Sequence, residues 1–465
     1  MKKSFLMVGA MMLAGTFVGA EIAAAAGVEF SGQLRPRYEY QDRDFNDATK
    51  ADSSINTRIR LNAKANIDDK TSAFIQLQSV GRFGDTAAAA TAGAQDNANG
   101  GSRNANVAND TLSDVGVHQA YFTLKNFYDM PVDVQVGRQE VVLDGHRLLG
   151  NTGWTAGAQS HDAVRLTHTH GDHTLAYIYS QVQDDGTEAN NDANDQAAHI
   201  LWGNFRGIGG GALSLYYVIT EGSATAVQND GGYMQTIGAR QAGNIAGFDY
   251  RGEFYYQFGD GTNAGNRTLM GGDAERQAYM FGLRVGRDLG PVKVTLWYDY
   301  LSGTDATDVA EDTVASFDTL FDTGHKFYGF MDRFLNIGTT SRNGATSVQA
   351  DAVKGLGLQD FAIKAAASPM KDLTVNADLH MFWTAEDAYA TRGTAVAANN
   401  GESHIGEELD ITVAHQYSSS TRFTLGYSHF WADDLGGELL GGGTAANFKD
   451  RDEASWAYVM MDVKF

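Results

Sequence analysis

The chain contains no cysteine, so no disulfide can stabilise it. Long apolar runs are missing beyond the first 26 residues, and nothing later approaches the about 20 apolar residues a membrane-spanning helix needs. Cations are the minority, with 35 Lys and Arg against 57 Asp and Glu and a net charge of −22. No basic stripe is present, which excludes nucleic acid as a partner. Proline is scarce, at 4 residues, whereas Gly (54), Tyr (20) and Phe (24) are plentiful. That composition fits one large all-β body.

Residues 1–26 have the form of a secretory signal peptide. Lys2 and Lys3 supply the basic start, Phe5 to Ala20 the apolar stretch, and Ala24, Ala25 and Ala26 the small residues of a cleavage site. The mature domain is then expected to span 27–465.

From there the organising signal is period two. Ile55, Thr57, Ile59, Leu61, Ala63, Ala65 and Ile67 alternate with Asn56, Arg58, Arg60, Asn62, Lys64 and Asn66. Phe30, Leu34, Tyr38 and Tyr40 likewise oppose Gln33, Arg35, Arg37 and Glu39. A helix of period 3.6 would scatter both sets, whereas a strand between two unlike surfaces uses them directly. These runs match the about 9–11 residues of a tilted membrane strand and exceed the 5–6 typical of soluble sheets.

The pattern recurs to give about eighteen strands joined by alternately short and long links. Short links include 68–70, 207–210, 287–291, 368–372 and 417–420, and long ones 83–113, 139–160, 302–356 and 432–453. The fold class expected is therefore all-β, a single transmembrane antiparallel up-and-down barrel with short periplasmic turns and long extracellular loops. Such a barrel sits in the outer membrane of a Gram-negative cell, in contact with lipid and lipopolysaccharide. The last strand ends on an aromatic, Phe465, in phase with Val463, Met461, Val459 and Ala457. It resembles the terminal strand that outer-membrane assembly machinery reads.

Polar faces of such strands must line the lumen, because lipid cannot hydrogen-bond them. Arg35, Arg37, Arg58, Arg60, Lys64, Arg82, Arg165, Arg251, Arg284 and Lys293 all fall on expected luminal faces, with Arg138 and Arg147 beside a loop that could fold inward. Rings of Arg and Lys favour anions. The competing reading has these cations pair with Glu39, Asp249, Glu253 and Asp299 and merely stiffen the wall.

Two other stretches carry distinctive residues. His168 to His173 reads H-x-H-x-D-H, a zinc-ligand pattern of metallo-β-lactamase-like hydrolases, but it falls where a short turn is expected in a chain without α/β alternation. It is read as a solvated turn, with no metal, cofactor or catalytic residues assigned. Phe317 to Asp332 is an aromatic-rich insert in the 302–356 link, which either folds into the pore as a constriction or covers its mouth, or else stands as an external loop packed on its neighbours.

Val136 to Glu140, Gly145 to Gly150, Trp154 and Asp162 to Leu166, together with Phe317 to Asp332, resemble the alginate-export family of outer-membrane barrels. The resemblance extends over essentially the whole mature chain. It implies an 18-stranded, arginine-lined conduit for an anionic polyuronate, with Arg138, Arg147 and Arg165 carried over by position and Arg35, Arg37, Arg58 and Arg60 as luminal partners. One departure is the short turn Tyr417 to Thr421, where the alginate exporter has an extended plug. The expectation is a passive channel for small hydrophilic, anionic solutes rather than an enzyme. The alternatives are an export conduit for an acidic exopolysaccharide such as alginate, and a sealed structural or adhesive barrel.

Overall fold

The computed structural model describes residues 27–465 apart from 44, 46–49, 84–114, 184–195, 222–231, 261–274, 306, 309–310, 336–354, 388–401 and 442–451. The expected signal peptide lies outside the described residues. The strands are β1 (Val28–Asp42), β2 (Asp52–Asn66), β3 (Thr71–Arg82), β4 (Gly116–Leu124), β5 (Asp133–Gln139), β6 (His161–His170), β7 (His173–Gln183), β8 (Gln196–Ile208), β9 (Gly211–Glu221) and β10 (Tyr233–Ile245). They continue with β11 (Phe248–Asp260), β12 (Glu275–Leu289), β13 (Val292–Leu301), β14 (Thr313–Val314), β15 (Leu358–Met370), β16 (Leu373–Trp383), β17 (His404–Gln416), β18 (Thr421–Ala432) and β19 (Glu453–Lys464).

All but β14 form the wall, each antiparallel to its neighbours, and β19 returns to pair with β1. The eighteen-stranded barrel is closed, as expected, and leaves no unpaired edge. The two-residue β14 belongs to the 302–356 link and runs parallel to the start of β12.

Alternation decides which side each residue takes. In β1, Phe30, Leu34, Tyr38 and Tyr40 are exposed while Arg35, Arg37 and Glu39 are buried. In β2, Ile59 and Leu61 are exposed while Asn56 and Arg58 are buried. Apolar outside and polar inside is the reverse of a soluble protein, and it is the arrangement that lipid selects. At the periplasmic turns, Gly209 and Gly210 (φ 57° and 72°) and Ala246 and Gly247 (φ 53° and 81°) hold two successive positive φ angles. That is the hairpin geometry whose twist matches the flanking strands. Tyr417 to Ser420 is a tight turn, its Tyr417 N–H donating to the Thr421 carbonyl at 3.0 Å.

The interior is not empty. Residues 140–160 and 311–335 fold into the lumen, burying Leu148, Leu149, Phe317, Phe321, Phe327, Tyr328, Met331 and Phe334 against the wall residues Tyr255, Met280, Phe382, Phe430 and Trp456. The aromatic insert therefore lies within the barrel.

The seam is fastened by the last residue. The Gly32 N–H donates to the Phe465 carbonyl at 2.8 Å, and the Phe465 N–H donates back at 3.2 Å. The Phe465 ring lies over Gly32 so closely that a Cβ there would stand 2.4 Å from Cζ. Gly32→Val should therefore displace the ring and lower the refolded fraction severalfold, read as loss of the fast-migrating folded band in unheated gels. A refolding yield equal to the parent's would show that the ring contact is dispensable.

Candidate functional site

The luminal site begins where β5 ends. Asp144 and His146 adopt left-handed φ angles of 46° and 70°, turning the 140–160 segment inward. The Asp144 carboxylate accepts hydrogen bonds from Trp202 Nε1 and Ser214 Oγ, both at 2.9 Å, and from the Tyr216 hydroxyl, with Arg240 Nη1 at 3.6 Å. Three residues on, Arg147 is clamped by the opposite wall. Its Nη2 lies 2.6 Å from Asp299 Oδ2 and its Nε 3.0 Å from Glu253 Oε1, while Nη1 donates to the Tyr328 hydroxyl at 2.9 Å. The guanidinium lies 3.7 Å above the Phe327 ring. Arg251 approaches the same two carboxylates at 3.3 and 3.6 Å and stacks 4.0 Å above Trp297.

The second infolded segment docks on the first. Phe321 N–H donates to Leu148 O at 2.9 Å, Gly150 N–H to Phe321 O at 2.8 Å and Thr323 N–H to His146 O at 3.0 Å. Its far end is held by wall carboxylates, with Met331 N–H on Glu408 at 2.8 Å and Phe330 N–H on Asp410 at 3.2 Å. His325 stacks on Trp154 at 4.2 Å, joining the two segments again.

The arginines expected along β1 and β2 do meet at one place, but what they grip is protein. Arg35 donates to the Gly153, Trp154 and Thr155 carbonyls at 2.7, 2.9 and 2.9 Å. Arg58 donates to the Gly153 and Thr155 carbonyls at 3.0 and 3.2 Å. Arg37 donates to Trp154 O at 2.8 Å, lies 4.3 Å over its ring and pairs with Glu39 at 3.2 Å. Arg60 reaches Gln78 Oε1 at 2.7 Å and Glu140 at 3.6 Å. Glu140 also contacts His118 at 2.9 Å and Asn151 at 2.7 Å. Because a guanidinium presents several donors in one plane, a single arginine can hold successive carbonyls of a loop.

Elsewhere the cations are less engaged. Arg165 shares the inward face of β6 with Ala163 and His161 and donates to Thr167 Oγ1 at 3.3 Å. Arg284 alternates inward with Met280 and Gly282, and Lys64 lies near the periplasmic end of β2. Among the described residues, none of these three has a carboxylate partner within 4.0 Å. Lys293 pairs with Asp249, and Arg82 with Asp52 at 3.6 Å.

Arg138 departs from the expectation. Gly137 takes a φ of 124°, and Arg138 continues the phase of Val136, which sits across from the lipid-exposed Phe122. It therefore points out of the barrel, where it grips Asp162 through two bonds of 2.8 Å. The H-x-H-x-D-H stretch forms the β6–β7 hairpin, with His170 opposite His173 and His168 on the Pro131 carbonyl at 2.6 Å. Among the described residues no group of three or more His, Asp or Glu converges as a metal site. Sequence reasoning did not find Asp144, Glu140 or Arg240. Asp144 and Glu140 depend on the inward turn after β5, which no periodicity announces, whereas Arg240 lies on the inward face of β10 with Thr236.

Several luminal carboxylates on the strands, by contrast, are covered. Asp378 pairs with Lys364 at 2.9 Å, Asp360 with His380 at 2.8 Å, and Asp462 accepts from Gln33 at 2.8 Å, while Asp410 also accepts from Ser428. In the infolded segments, burial lowers His146 to about 4, helped by Lys326. Burial also raises the Asp322 carboxyl from 3.8 to about 8, and its Oδ2 has no hydrogen-bond partner.

Arg147→Ala would leave Glu253 and Asp299 buried without their main partner, a loss of about 3–5 kcal/mol for a buried pair. Urea denaturation of the detergent-folded barrel should register it as a lower midpoint, with Arg147→Lys intermediate. Asp322 binds its proton more tightly when folded than when unfolded, so its contribution is full below pH about 4 and is lost as pH rises through about 8. Asp322→Asn should accordingly flatten the fall in urea midpoint between pH 5 and 9, and an unchanged slope would refute the assignment.

The fold is shared with solved structures of low sequence identity. Acinetobacter baumannii OccAB1 is 14% identical, with 94% of this chain and 96% of that chain covered and a TM-score of 0.56. Acinetobacter baumannii OccAB4 is 13% identical, covers 94% and 98%, and gives 0.54. Pseudomonas aeruginosa OpdO is 11% identical, covers 94% and 97%, and gives 0.54. No curated protein sequence matches the chain. The sequence profile described as alginate export matches residues 27–440, and the protein thus belongs to the alginate-export family of outer-membrane β-barrels.

Proposed function

We propose that this barrel is a passive outer-membrane channel for small hydrophilic solutes that favours anions, reached after removal of residues 1–26 and assembly through the strand ending at Phe465. It selects by width and field and makes no chemical change. One observation carries the reading. The luminal cations Lys64, Arg165 and Arg284 have no carboxylate within 4.0 Å among the described residues, whereas the buried luminal carboxylates Asp360, Asp378 and Glu408 are paired or capped. Unpaired cations in a narrow, low-dielectric wall set a positive local potential even though the chain carries −22 overall. The arginines that grip residues 153–155 contribute differently: they fix the constriction and so define its width.

The infolding of two segments also favours a second reading, a sealed barrel whose loops serve structure or adhesion. Single-channel recording separates the two. In a planar bilayer under a KCl gradient, the refolded protein should show steady conductance and a reversal potential on the chloride side. Neutralising Lys64, Arg165 and Arg284 to Gln together should move that potential towards zero and lower the chloride-to-potassium permeability ratio severalfold. Absence of conductance in every condition would favour the sealed barrel. Conductance whose selectivity ignores the triple variant would remove the anion assignment.

A further inference from the structure

Inside the barrel, aromatic side chains meet two different fates. The inward rings Tyr216, Tyr255, Trp297, Phe382, Phe430 and Trp456 are buried in the core that the infolded segments build. Phe74 of β3 and Tyr121 of β4 also point inward, since their neighbours Ile75 and Phe122 are exposed on the outer face. These two rings lie outside that core and are only half-buried. They stand across the ladder from each other, with centroids 5.4 Å apart and planes tilted by 39°. Their level is below the segment gripped by the β1 and β2 arginines. Lys64, opposite Phe74, is six residues nearer the periplasmic end of β2 than Arg58, about 20 Å along the strand.

Most polar groups around this pair are satisfied by one another. Gln76 donates to Asn62 at 2.8 Å, Gln119 to Gln76 at 3.2 Å and Gln135 to Gln139 at 2.8 Å. Glu140, the acid above them, is held by His118, Asn151 and Arg60. Arg165 is different. Its ladder partners are Gln135 and Ile178, neither of them acidic, and it lies within electrostatic reach of the Tyr121 hydroxyl. Lys64 closes the other end of the row, with Glu29 across from it on β1. An open pair of rings is thus left beside a guanidinium that no carboxylate approaches within 4.0 Å among the described residues. A ring face gains from a flat apolar partner, and a guanidinium from a carboxylate. We infer that Phe74, Tyr121 and Arg165 form a luminal subsite for small aromatic carboxylates, with the ring on the Phe74–Tyr121 pair and the carboxylate on Arg165. The inference rests on the anion-channel reading and gives it a substrate class. A sugar acid fits less well, because its hydroxyls need donors and acceptors, and the neighbouring amides are already bonded to each other.

Anion substitution in a planar bilayer tests the subsite. Reversal potentials under gradients of potassium chloride, acetate, benzoate and glucuronate give the permeability of each anion. Acetate is smaller than benzoate, so a pore that selects by width and field alone passes acetate faster. The parent channel should instead pass benzoate severalfold better than acetate. Phe74→Leu combined with Tyr121→Leu should reverse that order while the preference for chloride over potassium persists. Leucine keeps an apolar side chain at both positions, and the folded gel band reports that the barrel still forms. If the double variant does not fold, Tyr121→Leu alone should lower the benzoate-to-acetate ratio. Chloride preference with benzoate no more permeant than acetate would overturn the aromatic subsite and leave the anion channel standing. Glucuronate passing better than benzoate, or a ratio that survives the loss of both rings, would overturn it equally. Absence of any anion preference would remove the channel reading and this inference with it.

Discussion

Lipid supplies no hydrogen bonds, and the rest of the molecule follows from how the chain meets that constraint. Each wall strand satisfies its backbone on both sides only because β19 comes back to β1, and that return places Phe465 against Gly32. Once the sheet is closed, most charged side chains of the wall have one destination. The charges that lipid excludes from the outside accumulate within, and the acidic and basic groups there must be settled against one another or against loop backbone.

The barrel settles them in two ways. On the β11–β13 side the solution is ionic: Glu253 and Asp299 are buried and held neutral in sum by Arg147 and Arg251. On the β1–β2 side the arginines find few acids and bind carbonyls of residues 153–155 instead. Both sets of contacts converge on the same inward segment. The placement of that segment is thus a product of wall charge. Some of the arginines pair with acids of the wall and some hold the loop, while Lys64, Arg165 and Arg284 have no carboxylate within 4.0 Å among the described residues.

Most of the wall was legible in the sequence because period two is imposed locally, residue by residue, by a medium that disfavours charge. Ile59 beside Arg58 and Arg60 declares its face without reference to anything distant. The luminal site was legible only in part. Arg147 was identified through its resemblance to a family pattern, but the carboxylates that fix it stand more than a hundred residues away in sequence, and Asp144 carries no local signature. The side of Arg138 is not legible in the sequence, because Gly137, at a φ of 124°, falls just where the strand is ending. A short strand gives too few repeats to establish its own register. The insert Phe317 to Asp332 was ambiguous for the opposite reason: its aromatic residues would serve equally well in a lid or a core, and only the backbone pairing with Leu148 and Gly150 decides between them.

The segment that crosses the lumen has a mechanical meaning as well. Asp144 is fastened to β8 and β9, Arg147 to β11 and β13, and the carbonyls of 153–155 to β1 and β2. A hoop of eighteen strands without such a tie would flatten easily under lateral pressure from the bilayer. With the tie in place the hoop behaves like a spoked rim, and squeezing it from any side loads the spokes before it changes the aperture.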